Sequence, residues 1–259
     1  MNTHLTNQIA IVTGASRGIG LAISQALAAE GAHVIAGARH SSPQLQALEA
    51  AGSATFIAAD LSTPQGPKAL VAAAAERGGL DILVNNAGTA NPRFGGLLSV
   101  TDDDWTDALN LNLLSAVRMT REALPHMLVR GGGSIVMIGS VNAALPEWNI
   151  VDYSATKAAL ANFAKSVSKE FGPKGIRVKT ISPGPVATPL WLADDGIAAQ
   201  FAAASGASSD EVLQSVVAGS ATGRFTTPEE VAELTVFLTG NHNITGSDVR
   251  IDGGYVTTL

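Results

Sequence analysis

The sequence predicts an α/β protein, a doubly wound parallel sheet of seven strands with helices on both faces. Three observations carry that expectation. Short runs of β-branched and apolar residues have the length of buried strands. Ala/Leu-rich segments with helical spacing separate them, and such alternation requires parallel crossovers that lay helices over both faces. A glycine-rich stretch after the first run marks a strand passing abruptly into a helix.

Ile9-Ala10-Ile11-Val12-Thr13 is the first expected strand, apolar as a strand covered on both faces must be. Thr13-Gly14-Ala15-Ser16-Arg17-Gly18-Ile19-Gly20 follows, leading into a helix over about 18–30. The second strand is expected over 33–38 with a helix over about 43–51, and the third over 55–59. Its helix covers 64–77, where the run from Ala72 to Ala75 is a strong helix former. The fourth strand, 82–85, leads to a long helix over about 103–130, with Asp102-Asp103-Asp104 placed to cap and complement its start. The fifth, 134–139, precedes a second long helix over about 152–172. Strands over 177–181 and 248–251, with a helix over about 228–239 between them, complete the pattern.

From 189 to 223 the alternation lapses: Trp191, Leu192, Phe201 and many Ala residues occur without a strand. Insertions of that length are commonly functional. This one reads as a helical flap over a pocket, with a packed helix pair at a subunit contact as the alternative. No Pro/Gly/Ser linker or internal repeat divides the chain, so residues 1–259 are expected to form one domain.

The 259 residues suffice for one large buried core. Apolar residues make up 46% and charged residues 15%, which argues against disorder. Lys+Arg 16 against Asp+Glu 22 leave a formal net charge of -6, and no basic run is long enough to attract nucleic acid or an anionic membrane. No apolar stretch reaches a spanning length, and Met1-Asn2-Thr3-His4 does not read as a secretory signal. The expected compartment is the cytoplasm. Absence of Cys excludes disulfides and thiolate metal sites. His4, His33, His40, His126 and His242 lack metal-ligand spacing, so no metal is expected.

Tyr153 and Lys157 lie four residues apart in Tyr-Ser-Ala-Thr-Lys, on one face of their expected helix. An ammonium beside a phenol favours the phenolate, so such a pair can pass a proton near neutral pH. Ser140 follows the apolar run Ser134-Ile135-Val136-Met137-Ile138-Gly139. Gly14, Gly18 and Gly20 permit a tight turn and close backbone approach to a pyrophosphate, which a helix N-terminus then faces with free N–H groups. Together these residues point to a nicotinamide-dependent oxidoreductase. At the end of the second strand, Ala36-Gly37-Ala38-Arg39-His40 lacks the carboxylate that holds a ribose 2′-hydroxyl in NAD-binding sites. Arg39 instead offers a planar fork suited to phosphate, and Arg17 adds a cation on the same side. NADP(H) is therefore expected over NAD(H), with a merely solvated Arg39 as the plain alternative.

In these motifs and their order, the chain resembles the short-chain dehydrogenase/reductases in their single-domain branch. The resemblance spans nearly the whole chain and includes Asp60-Leu61, Asn85-Asn86-Ala87-Gly88, Asn112, Pro183-Gly184 and Asp252-Gly253-Gly254. It implies a Rossmann-type fold, and roles position by position. Ser16, Arg17 and Ile19 belong with the glycines to the cofactor site. Asp60 and Leu61 resemble the pair beside the adenine ring, and Asn86, Ala87 and Gly88 the turn lining the adenosine ribose. Pro183, Gly184, Val186 and Thr188 resemble the nicotinamide loop. Asn112, Ser140, Tyr153 and Lys157 match the family's catalytic tetrad. There Ser140 and Tyr153 donate to the substrate oxygen, and Tyr153 exchanges the proton. Lys157 favours the phenolate and holds the nicotinamide ribose, while Asn112 holds a water leading to solvent. Departures from the family pattern are Asn7-Gln8 for Gly-Lys before strand one, and Pro185 inside the nicotinamide loop.

Val141, Asn142, Leu145, Trp148 and Ile150 lie between Ser140 and Tyr153, and Arg93, Phe94, Trp191 and Leu192 approach from other loops. This mostly apolar set suits a ketone or secondary alcohol with a hydrophobic body. A 3-oxoacyl-[acyl-carrier-protein] reductase and a catalytically silent dinucleotide sensor are the competing readings. The resemblance also implies a homotetramer joined through the two long helices. Their Leu109, Leu113, Val117, Leu160, Phe163 and Val167 spread apolar surface over more than one face.

Overall fold

The computed structural model describes residues 5–258, so the expectations for Met1-Asn2-Thr3-His4 lie outside the described residues. Seven parallel strands form one sheet in the order β3-β2-β1-β4-β5-β6-β7. They are β1 Ile9–Thr13, β2 His33–Ala38, β3 Ala54–Ala58, β4 Ile82–Asn85, β5 Gly133–Ile138, β6 Ile176–Pro183 and β7 Asp248–Ile251. The helices between them are α1 Gly18–Ala29, α2 Pro43–Ala50, α3 Gln65–Glu76, α4 Asp102–Leu109, α5 Ser115–Val129 and α6 Val151–Phe171. After β6 come α7 Pro189–Leu192, α8 Ile197–Ser205, α9 Ser209–Ala218 and α10 Pro228–Gly240.

Strand residues alternate between two buried layers, as a period of two requires. Ala10, Val12, Val34, Val84, Val136 and Ile181 pack with Ile23 and Leu27 of α1 and Val231 and Leu238 of α10. Ile11, Ile35, Leu83, Ile135 and Val178 pack with Leu70 of α3, Met119 of α5 and Leu160 of α6. Each fully buried aliphatic side chain contributes about 1.5–3 kcal/mol relative to exposure.

β6 runs two residues past the expected end because Ser182 and Pro183 pair with Arg250 and Ile251 of β7. The expected single helix over 103–130 is divided by a π turn at Asn110–Leu114. The start of α4 is capped as its sequence suggests: Thr101 and Asp104 form a reciprocal capping box. Between 189 and 223 the described residues form α7, α8 and α9, anchored by edge-to-face contacts of Phe201 with Phe94 and Trp191 with Phe225. Among the described residues no helix is long and apolar enough to cross a membrane.

The apolar spread of the two long helices is smaller than the sequence suggests. Leu160 and Val167 are buried in the chain's own core, and Leu113 and Phe163 pack against it. Leu109 remains exposed.

Candidate active site

All seven strands are parallel, so their C-terminal ends lie along one edge. Strand order runs one way from β1 through β2 and β3 and the other way from β4, and a crevice opens at such a reversal. The predicted site residues come from the loops that follow β1 to β6 and from the helices beside them.

Gly14 and Gly18 have φ of 65 and 53, the left-handed region that suits glycine. A Cβ on Gly20 would collide with the Gly14 carbonyl oxygen, so the turn closes only with glycine there. Arg17, extended at φ -158, precedes α1, and no side chain caps that helix. Its first-turn N–H groups are therefore available to an anion. Asn86 braces the turn: its Nδ2 donates to Thr13 O at 2.8 Å and Gly14 O at 3.3 Å. Thr13 Oγ1 in return accepts from the Asn86 and Ala87 backbone N–H groups at 2.8 and 3.0 Å. Thr13 is a bracing residue that sequence reasoning passed over; its place at the end of β1 was the available signal.

Arg17, Arg39 and Asp60 are exposed, Ser16 and Ile19 half-buried and Leu61 buried. Two hydrogen bonds from Ser62 hold the Asp60 carboxyl below its ordinary range, and the Arg39 charge acts the same way. This places the Arg39 cation beside the expected adenosine end. Ser41 Oγ, two residues further on, is buried and without a hydrogen-bond partner. A glycine cradle, an uncapped helix end, an exposed guanidinium and a spare hydroxyl together fit a dinucleotide bearing a 2′-phosphate.

The loop after β6 meets the glycine turn. A Cβ on Gly18 would lie 3.2 Å from Thr188 Cγ2, and one on Gly184 would lie 2.8 Å from Asp252 Cβ. Val186 and Thr188 are buried, and Val186 bridges to Thr226. Asp252 of the closing Asp252-Gly253-Gly254 motif thus packs against Gly184, whose N–H donates to Ile251 O at 3.1 Å.

Asn112 sits on the π turn, buried, and its Oδ1 accepts from the Thr89 N–H at 2.8 Å. Gly88 lies between Asn112 and Lys157: a Cβ there would stand 2.8 Å from Asn112 Oδ1 and 3.5 Å from Lys157 Nζ. Lys157 Nζ donates to Ile138 O at 2.8 Å and lies 5.5 Å from the Tyr153 ring centroid. Ser140 Oγ donates to Asn142 Oδ1 at 3.0 Å and accepts from the Asn142 N–H at 3.1 Å. The chain therefore brings Asn112, Lys157 and Tyr153 together, with the Ser140 hydroxyl near enough to the phenol to act on its pKa.

Burial raises the Tyr153 phenol above its ordinary value of 10.0, and the nearby Ser140 hydroxyl acts downward. Lys157 Nζ is held by the Ile138 carbonyl, and burial lowers its own pKa from 10.5 to about 8.

Of the pocket candidates, Val141 is buried, Leu145, Trp148 and Leu192 are exposed, and Phe94 meets Phe201 edge to face. Arg93 departs from expectation: its guanidinium is bound to Asp104 and Asp152 rather than presented to the crevice. Asp152 had no place among the sequence candidates, although it directly precedes Tyr153.

Comparison with known proteins agrees with this architecture. The family model described as Enoyl-(Acyl carrier protein) reductase matches residues 14–256. Short-chain reductase protein NovJ of Streptomyces niveus is 37% identical over 253 residues, 95% of this chain and 93% of that protein. The 3-oxoacyl-[acyl-carrier-protein] reductase FabG of Vibrio cholerae is 31% identical, covering 97% of this chain and 98% of its own. The structure of L-sorbose reductase from Gluconobacter frateurii, complexed with NADPH and L-sorbose, superposes with a TM-score of 0.91 at 36% identity over 100% of both chains. The chain belongs to the short-chain dehydrogenase/reductase family of oxidoreductases, which use nicotinamide dinucleotides.

Proposed function

We propose that the protein is an NADP(H)-dependent oxidoreductase that interconverts a ketone and a secondary alcohol, with Tyr153 as general acid and base. The observation that carries this reading is the convergence of Tyr153, Lys157, Ser140 and Asn112 beside the glycine cradle. When bound, the cofactor supplies or accepts the hydride. Ser140 and Tyr153 donate to the carbonyl oxygen as negative charge grows there, which favours the transition state over the ground state. Tyr153 then gives up its proton, and Lys157 and Asn112 form the route that restores it. Burial keeps the phenol protonated, the form the acid role starts from, and in the oxidative direction Lys157 and the oxidised nicotinamide would supply the positive charge that favours the phenolate.

Arg39 supports NADP(H), and so does the NADPH held by L-sorbose reductase. Helices α7 to α9 are proposed as the flap over the substrate, and the assembly as a homotetramer. The apolar rim favours a substrate with a hydrophobic body, whereas the likeness to FabG favours 3-oxoacyl thioesters on a carrier protein.

Cofactor oxidation across a panel of small ketones and an acyl thioester tests these readings. NADPH is expected to exceed NADH in kcat/KM. Arg39→Ala is expected to cut the NADPH value about 10–100-fold, the worth of a charged hydrogen bond of about 1.5–3 kcal/mol. Tyr153→Phe is expected to bind NADPH normally and turn over nothing. An active Tyr153→Phe protein overturns the proton assignment, an equal or NADH-favouring ratio overturns the cofactor assignment, and a strong thioester preference selects the carrier-protein reading.

A further inference from the structure

Arg93 lies in the loop between β4 and α4 and ties together three elements of the site. Its Nη1 donates to Asp104 Oδ1 at 2.7 Å. Its Nη2 and Nε donate to Asp152 Oδ2 at 2.7 and 3.2 Å. Its backbone N–H donates to Asn149 O at 2.6 Å. Asp152 is almost wholly buried, 3% exposed at the side chain, and its other oxygen accepts from the Tyr153 N–H at 2.9 Å. Asp104 in turn caps α4, the segment that leads through the π turn to Asn112. One guanidinium therefore joins the loop that follows Gly88, the helix bearing Asn112 and the first turn of the helix bearing Tyr153 and Lys157.

We propose that Arg93 and Asp152 are a positioning pair that fixes the first turn of α6 and thereby the direction of the Tyr153 phenol. The inference rests on the reading of Tyr153 as proton donor. Two features make the pair suited to aiming rather than simple adhesion. Asp152 is the second residue of α6, so its charge complements the helix N-terminus while its oxygens are held from two sides. The planar fork of Arg93 fixes orientation as well as distance, which an ammonium does not. Misplacement of a reacting group by about 1 Å can cost on the order of a hundredfold in rate. Neither Arg93 nor Asp152 is assigned contact with the reacting atoms.

The test uses Arg93→Lys, Asp152→Asn and the double variant of the full chain, assayed with NADPH and a ketone substrate. Arg93→Lys keeps a cation beside Asp152, so no buried carboxylate is orphaned, but it loses the fork. Each single variant is expected to lose about tenfold or more in kcat. Ketone KM and NADPH Kd should stay within about twofold, and the double variant should be no slower than the worse single one, as expected for one coupled unit. Wild-type kcat in variants with lowered melting temperatures would show a purely structural clasp and overturn the proposal. A raised ketone KM with unchanged kcat would instead make Arg93 a substrate contact and overturn it equally. Tyr153→Phe is run alongside. If it retains activity, the donor reading fails; if it is inactive while Asp152→Asn has normal kcat, the positioning pair alone fails.

Discussion

Burial lowers Lys157 to about 8 and Lys179 to about 7 from 10.5, with the Arg177 charge adding to the effect at Lys179. Lys157 has a proposed part in the site. Lys179 donates to Ser134 Oγ at 3.0 Å inside the sheet and has no such part. Because its pKa is depressed on folding, the unfolded chain binds more protons between about 7 and 10.5. Stability from this residue therefore rises with pH through that window, and below it the full cost of a buried ammonium is present. Lys179→Met, similar in volume, is expected to raise the melting temperature at pH 6 by roughly 2–10 °C, a gain of about 1–3 kcal/mol. The difference from wild type should shrink as pH approaches 10. A gain independent of pH, or a loss at pH 6, would show that Lys179 is accommodated as a charge. Arg177 and Lys179 are the two basic residues of a strand expected to be buried. In the structure β6 lies between β5 and β7, and its Val178 and Ile181 pack into the helix layers on opposite faces of the sheet.

At the scale of elements, the π turn is what brings Asn112 to Gly88. An extra residue in the helical ladder turns its side chain toward Thr89, and π turns are frequent at functional sites. Gly88→Ala tests how tightly the loop after β4 and this turn are matched. The new methyl would press on Asn112 Oδ1 and approach Lys157 Nζ, so a stability loss of about 1–3 kcal/mol is expected from overpacking. A fall in kcat larger than the change in NADPH affinity should accompany it; wild-type kcat would mean that Asn112 shifts freely without consequence. The strands were legible because β-branched runs of fixed length bounded by Gly, Asp and Asn have few other solutions, and β1, β2, β4 and β7 have the predicted limits. The π turn was not legible, since counting at 3.6 residues per turn passes straight through it. Tyr153 and Lys157 could be paired from a local spacing. Arg93 could not, because its partner Asp152 lies 59 residues away and an Arg in a loop near a pocket reads equally well as a substrate contact.

In the whole molecule, the α4–α5 segment turns one side to the core and leaves three leucines partly exposed. Its inward side chains Met119, Ala123 and Met127 are fully buried, while Leu109, Leu114 and Leu128 stand 38%, 36% and 39% exposed. The sequence suggested more outward apolar surface than this, because Leu160 and Val167 were counted toward a neighbour and instead fill the chain's own core. These leucines are the exposed apolar residues through which the proposed assembly is tested. Light scattering at micromolar concentration is expected to give four times the 26.4 kDa of one chain. Substituting Glu at both Leu109 and Leu114 should place charge on a face that becomes dry on assembly and so yield smaller species, with the circular dichroism of the folded chain retained. A single-chain mass for the unaltered protein would refute the tetramer. A tetramer indifferent to both substitutions would place its interfaces elsewhere, away from the helix that carries Asn112.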